Sequence, residues 1–225
     1  MNNNGPTDTP ANNGDLHAVR NDYQQAELTR SQMPDNPFKM FSQWMQTARD
    51  SGLIDATAMT LATSTPDGLP SARIVLLKQF GEAGFCWYTN YESRKGNELA
   101  KNPNAALLFY WRELERQVRI EGRVEKMPAE DSTAYFKSRP DGSKYSAVVS
   151  PQSQAVPDQA WLADRKKLLA QEQTPDQLER PEFWGGYQLT PCAFEFWQGR
   201  PSRSHDRFQY MLNEDNQWDL QRLAP

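Results

Sequence analysis

Residues 58–126 limit the fold more than any other stretch, because turn signals cut them into segments too short for stable helices. Ala58-Met-Thr-Leu-Ala-Thr63, Ser71-Ala-Arg-Ile-Val-Leu-Leu-Lys-Gln-Phe80 and Phe85-Cys-Trp-Tyr-Thr89 are separated by Pro66-Asp67-Gly68 and Glu82-Ala83-Gly84. Apolar runs of this length, rich in β-branched and aromatic residues, read as strands. Tight turns containing Gly join antiparallel neighbours. Two short-looped hairpins in succession predict an antiparallel meander, with Ser71–Phe80 as one unbroken strand carrying Arg73 and Lys78. Ala105–Trp111 and Glu115–Lys126 add two strands, and in the second Val118, Ile120 and Val124 alternate with polar residues, with Gly122 in phase. Strands at Cys192–Gln198, Arg207–Asn213 and Trp218–Leu223 raise the count to about seven or eight, which suits a mainly β barrel with peripheral α-helices.

The helices carry their own punctuation. Asn36 is an N-cap and Pro37 the first helical residue; Phe38, Phe41, Met45 and Ala48, with Trp44 beside them, form an apolar stripe that Gly52 ends. Pro128–Ser138 opens on proline with acids in its first turn, and Pro140-Asp141-Gly142 reads as its breaker, with Ser143 after the turn. Gln159–Gln173 is a charged helix, Ser150-Pro-Gln152-Ser153 a loop, and Pro181–Gly186 an irregular turn. Residues 1–15 are rich in Asn, Gly and Pro and are expected to be a disordered tail, leaving 16–225 as a single domain.

Composition excludes several functions. A formal net charge of −4 gives no general attraction for nucleic acid, so any anion site must be a local basic cluster. Cys86 and Cys192 stand far apart and form no C-x-x-C pair, so neither a disulfide framework nor a metal site is expected. No apolar run reaches membrane-spanning length, and a soluble cytoplasmic protein is expected. No G-x-G-x-x-G or G-x-x-x-x-G-K-[ST] follows a strand, which argues against a Rossmann or P-loop site.

Three stretches point to anion chemistry. Ser93 reads as the N-cap of a short helix with Arg94 and Lys95 in its first turn. Cations there oppose the helix dipole unless an anion binds, although a tolerated surface pair fits equally well. Tyr135 and Arg139, at i and i+4, share a helical face with Ser143 nearby, as a phosphate site requires; core packing of Tyr135 is the alternative. Arg203, His205 and Arg207, at i, i+2 and i+4, face one way on an extended strand and suit an anionic planar ligand, or else are ordinary surface charges. Gln117 lies on the polar face of its strand. Asp55, before the first strand, is a turn residue or a polar group near a site.

The run Phe194-Glu-Phe-Trp197-Gln198, followed after four residues by Arg203-Ser-His205-Asp-Arg207, resembles the C-terminal signature of the pyridoxine/pyridoxamine 5′-phosphate oxidase family. Arg73-Ile74-Val75-Leu76-Leu77-Lys78, Tyr88-Thr89, Ser93-Arg94-Lys95, Glu115-Arg-Gln117, Tyr135-Phe-x-Ser-Arg139-Pro, Gln152-Ser153 and Phe183-Trp-Gly-Gly186 occur in the family's order, so the resemblance spans the chain from about Arg20 onward. Ser204 departs from it, since the family usually has Leu there, and the change bears on local packing more than on chemistry. The resemblance implies an FMN-binding split barrel and a homodimer with its flavin sites across the subunit interface. FMN would be bound by Arg73 to Lys78, Tyr88, Thr89, Arg94, Lys95, Gln117, Gln152, Ser153, Trp197 and Arg207. Lys78, Tyr135, Arg139 and Ser143 would hold the substrate phosphate. Arg203 and His205 would be catalytic, against the pyridine ring, with Arg20 and Tyr23 closing over it. The implied reaction oxidises pyridoxamine or pyridoxine 5′-phosphate with dioxygen. A flavin reductase-like enzyme and a non-catalytic carrier of pyridoxal phosphate or FMN are the alternatives.

Overall fold

The computed structural model describes Tyr23 and residues 26–225. The expected tail over residues 1–15, and Arg20, lie outside the described residues. Asn36 caps helix α1 (Pro37–Asp50) by accepting a 2.8 Å hydrogen bond from the Phe38 N–H through Oδ1, and Gly52, at φ 75°, turns the chain away after it. The buried stripe of α1 enters the sheet's concave side. There Phe41 meets Phe80, Phe85 and Phe109 at ring-centroid distances of 4.9, 4.9 and 5.1 Å. These rings dominate the main core.

Among the described residues the sheet has nine strands: β1 (Ala58–Ser64), β2 (Pro70–Leu76), β3 (Gln79–Gly81), β4 (Gly84–Asn90), β5 (Asn104–Trp111), β6 (Arg116–Lys126), β7 (Trp184–Gln198), β8 (Asp206–Leu212) and β9 (Trp218–Leu223). Its order is β2-β1-β5-β6-β7-β4-β3, with β8 and β9 continuing from β7. All its pairings are antiparallel, as expected, but it is not a meander, because β1 neighbours β5 and β4 neighbours β7.

The strand expected over Ser71–Phe80 is broken. Leu77 donates its N–H to Thr57 O and Lys78 donates its own to Cys86 O, both at 2.9 Å, so the chain crosses there from one sheet edge to the other. Leu77 is buried in the core while Lys78 stays exposed, and the crossing curls the sheet towards a barrel. The turn expected over Pro181–Gly186 instead contains the start of β7. That strand pairs with β4 through its first half and with β8 through its second, and β6 backs both halves. At the bulge where β6 shifts register, a Cβ on Gly122 would lie 2.1 Å from Thr190 O, so only glycine fits.

Helix α2 (Arg94–Lys101) follows β4, and α3 (Ala129–Ser138) and α4 (Asp141–Val149) cover the start of β7. Pro140 was expected to break a helix, yet it starts α4 and places Ser143 in the first turn, because proline suits a helix N-terminus as well as a break. Helix α5 (Gln159–Glu172) packs outside. No helix among the described residues is long and apolar enough to cross a membrane.

Candidate active site

A cavity of about 580 Å³ opens between β2, the end of β4, the first turn of α2, and the α3–α4 junction. Arg73, Ile74, Val75, Leu76, Lys78, Tyr88, Thr89, Lys95, Tyr135, Arg139, Ser143 and Gln152 line it, so both expected phosphate clusters meet at one space.

One end is built around Lys95. Ser93 caps α2 and turns Lys95 inward, leaving it 8% exposed. Its ammonium donates to Gln152 Oε1 at 2.8 Å, Thr89 Oγ1 at 3.1 Å and Ser93 Oγ at 3.3 Å. No described carboxylate pairs with it. Burial, then the positive charge of Arg73, pushes Lys95 down to about 8. Arg73 donates to Thr63 Oγ1 at 2.5 Å and Leu61 O at 3.2 Å and lies 3.4 Å from Glu98. Burial pushes the Glu98 carboxyl up, but hydrogen bonds from Ser71, Thr63 and Arg94 and the charge of Arg73 outweigh it and hold the group at about 2. Glu98 therefore anchors Arg73 as a fixed anion behind the cavity wall. Sequence reasoning missed it, although its i,i+4 spacing from Arg94 was a usable signal.

The other end is built on aromatic rings. Tyr88 and Tyr135 stack with centroids 3.8 Å apart, and Trp184 lies parallel to both at 5.7 and 6.3 Å. Burial raises both phenols, Tyr88 to about 12, so they stay neutral donors. The Arg139 guanidinium sits 4.6 Å from the Trp184 ring, and its Nη1 is buried without a hydrogen-bond partner. Desolvation lowers Arg139, as expected for a half-buried cation without a counter-ion. Trp184 was passed over in the sequence because it lay inside a supposed turn.

The remaining expected residues fall elsewhere. Arg94 is 63% exposed and tied to Glu98 at 2.9 Å. Leu77 lies in the core, and Ser153 is exposed at φ 72°. Asp55 is an exposed turn residue whose carbonyl accepts from Ala58 N. Gln117 and Arg207 are the strand partners of Trp197 on β6 and β8. Arg207 is held by Glu195 at 2.8 Å and by Ala224 O at 2.8 Å. None of these lines the cavity.

Arg203 and His205 are not on an extended strand with Arg207. β8 begins at Asp206; Arg203 ends a 3₁₀ turn (Pro201–Arg203) in which Ser202 and Arg203 both adopt positive φ, 54° and 61°. Ser204 is exposed in this turn, so its departure from the family's usual residue removes no packing. The His205 ring lies 4.7 Å from Trp197 and 5.6 Å from Tyr23. Its Nδ1 accepts the Arg200 N–H at 3.1 Å, so the neutral ring carries its proton on Nε2. Burial and then Arg203 lower His205, while Asp206 opposes them weakly, so it is neutral near pH 7.

The face beside the cavity is apolar and open. Ile74 is 65% exposed and Leu76 41% exposed on the edge strand β2, a surface that a lone protomer rarely leaves uncovered.

Comparison with known proteins gives the family. Residues 45–168 match a family model described as pyridoxamine 5′-phosphate oxidase, and residues 184–225 match one described as the pyridoxine 5′-phosphate oxidase C-terminal dimerisation region. The chain is 50% identical over 212 residues to a pyridoxine/pyridoxamine 5′-phosphate oxidase of Salinibacter ruber, covering 93% of this chain and 99% of that one. It is 51% identical over 211 residues to the Paraburkholderia phytofirmans protein of the same name, covering 93% and 99%. Among solved structures, PhzG from Burkholderia lata in complex with tetrahydrophenazine-1-carboxylic acid superposes with a TM-score of 0.81 at 29% identity, covering 88% of this chain and 98% of that one. A pyridoxamine 5′-phosphate oxidase-related, FMN-binding protein of Nostoc punctiforme shares the fold at a TM-score of 0.69 and 18% identity, covering 86% and 100%. The mainly β, curled half-barrel is that of the FMN-binding split barrels, and the chain is an oxidoreductase that belongs to the pyridoxine/pyridoxamine 5′-phosphate oxidase family.

Proposed function

We propose that this chain oxidises pyridoxamine 5′-phosphate and pyridoxine 5′-phosphate to pyridoxal 5′-phosphate, with FMN as cofactor and dioxygen as final acceptor. The observation that carries this reading is a pair of cations in one cavity, Lys95 and Arg139, neither of them paired with a described carboxylate. A buried cation without a counter-ion is costly unless a ligand supplies one. Two such cations suit two phosphates, one on the cofactor and one on the substrate.

The Lys95 end fits the FMN phosphate: an ammonium, an anchored Arg73, the Thr89 hydroxyl and the Gln152 amide converge there. Arg139, Tyr135, Ser143 and Lys78 hold the substrate phosphate. When bound, FMN would supply the redox step, taking up the hydride lost from substrate C4′ and reducing dioxygen to hydrogen peroxide, and with pyridoxamine 5′-phosphate the nitrogen would leave as ammonia after water adds to the oxidised carbon. Arg203 orients the pyridine ring and favours loss of the substrate proton. His205, with its Nδ1 lone pair engaged by Arg200, acts as an Nε2 donor that places the ring. Since Trp197, Arg203 and His205 do not line the same protomer's cavity, the site is completed in a homodimer, with the uncovered apolar edge of β2 at the interface.

Purified protein loaded with FMN is expected to release hydrogen peroxide in air with pyridoxamine 5′-phosphate and far less with unphosphorylated pyridoxamine. A yellow protein that releases none with either substrate would retain the cofactor site and overturn the oxidase reading.

The Lys95 environment also predicts how cofactor binding depends on pH. Without an anion the ammonium loses its proton as pH rises through about 8, and a neutral amine does not attract phosphate. FMN affinity of the apoprotein is expected to fall above that pH by up to about tenfold per pH unit. Riboflavin, which lacks the phosphate, serves as the control and should show no such fall. Flavin-fluorescence titrations between about pH 7 and 9.5 check this, and Lys95→Met should abolish the dependence.

A further inference from the structure

Gly199 follows β7 directly and is buried, with a backbone that does not require glycine. What requires it is Tyr23. A Cβ at Gly199 would lie 2.7 Å from Tyr23 Cγ, 2.8 Å from its Cβ and 2.9 Å from its Cδ1. These atoms form the root of the side chain, so the ring cannot evade the clash by a small swing of its far end. Seated there, Tyr23 meets the edge of Trp197 at 5.5 Å and of His205 at 5.6 Å.

The chain just beyond Tyr23 is tied to the same loop. Ala26 O accepts from Arg200 Nη1 at 3.4 Å, and Glu27 lies 3.8 Å from that nitrogen. Leu28 donates its N–H to Asp206 Oδ2 at 3.0 Å, and Asp206 also holds Arg200 at 3.5 Å and pairs with Arg222. The loop bearing Arg203 and His205 is thus bounded by two residues, Gly199 and Asp206, that both bind the N-terminal segment.

We propose that Gly199 is a positioning residue: its missing side chain is the socket that seats Tyr23, which in turn fixes the His205 imidazole against Trp197. The effect on turnover rests on the oxidase reading above; the seating of Tyr23 does not.

A double-mutant cycle over Gly199→Ala and Tyr23→Ala tests it through two measurements. The first is the His205 titration followed by proton NMR, which is tractable because the chain has only two histidines. Burial lowers His205, with Arg203 adding to the effect and Asp206 opposing it, so loss of the Tyr23 cover should raise it in either single variant. The second is KM for pyridoxamine 5′-phosphate, expected to rise about ten- to a hundredfold in either variant with the FMN dissociation constant unchanged. The double variant should be no worse than Tyr23→Ala alone. An unshifted His205 in Gly199→Ala, or effects that multiply in the double variant, would overturn the proposal. Should Gly199→Ala fail to fold, Arg200→Gln replaces it in the cycle, since it frees Ala26 and Glu27 from the loop; the same two outcomes decide. Wild-type protein without peroxide release would remove the oxidase reading, yet the His205 titration would still decide the seating of Tyr23.

Discussion

Arg139→Met is expected to lower kcat/KM for pyridoxamine 5′-phosphate by about a hundred- to a thousandfold, mostly through KM, because a charge-assisted, desolvated contact to phosphate is worth about 3–4 kcal/mol. The structure gives the sign of a second effect. Arg139 Nη1 is buried without a hydrogen-bond partner, and its guanidinium is held mainly by the Trp184 ring at 4.6 Å. Methionine fills a similar volume against that ring without a charge to desolvate. The melting temperature of the ligand-free variant should therefore equal or exceed that of the wild type. FMN affinity should be unchanged, since Lys95 and Arg73 form the other end of the cavity. Activity on unphosphorylated pyridoxamine, already low, should not fall further. A variant that loses FMN along with substrate would show that Arg139 serves the cofactor, and the assignment of the two ends would be reversed.

The two clusters that meet at this cavity were legible in the sequence, because each is local. Ser93 caps α2 and sets Lys95 two residues later, while Tyr135 and Arg139 flank one helix end. Where the sequence misled, distant residues decided the geometry. The break at Leu77–Lys78 arises because Leu77 is drawn into the core and the two backbone amides bond to Thr57, just before β1, and to Cys86 on β4, near opposite ends of the sheet. The start of β7 was hidden by Gly185 and Gly186, whose turn propensity is overridden where they run beside Tyr88 and Thr89 on β4. Trp184, read as part of that turn, became the platform for Arg139. Arg203 and His205 were placed on a strand because their alternation fits one. A 3₁₀ turn closed by the Arg200–His205 hydrogen bond, and by Asp206 reaching 178 positions back to Leu28, has no periodicity to read. Glu98 was legible in principle, since its spacing from Arg94 is that of a helical ion pair, but its value lies in contacts with Thr63, Ser71 and Arg73 across the sheet.

The Arg203 turn leads to the second large prediction. Arg203 and Ser202 sit at φ 61° and 54°, where residues other than glycine carry about 1 kcal/mol of strain or more. Strain of this kind persists where the surroundings over-determine it, and here Arg203 is exposed and does not line the protomer's own cavity. Arg203→Ala keeps the backbone strain and removes the guanidinium. Turnover is expected to fall by about a hundred- to a thousandfold, the usual effect of deleting one preorganised electrostatic contact to a reacting substrate. FMN affinity should stay within about threefold of the wild type, because no described contact joins Arg203 to the Lys95 end. The pH profile supplies an independent check. Arg203's positive charge helps to hold His205 down, so its loss should move the histidine-dependent limb of the profile to higher pH. Arg203→Gly relieves the strain as well, and should give a protein at least as stable as Arg203→Ala and equally slow. If Arg203→Ala lost turnover and FMN to the same degree, the residue would belong to the cofactor site, and substrate orientation would have to come from His205 alone.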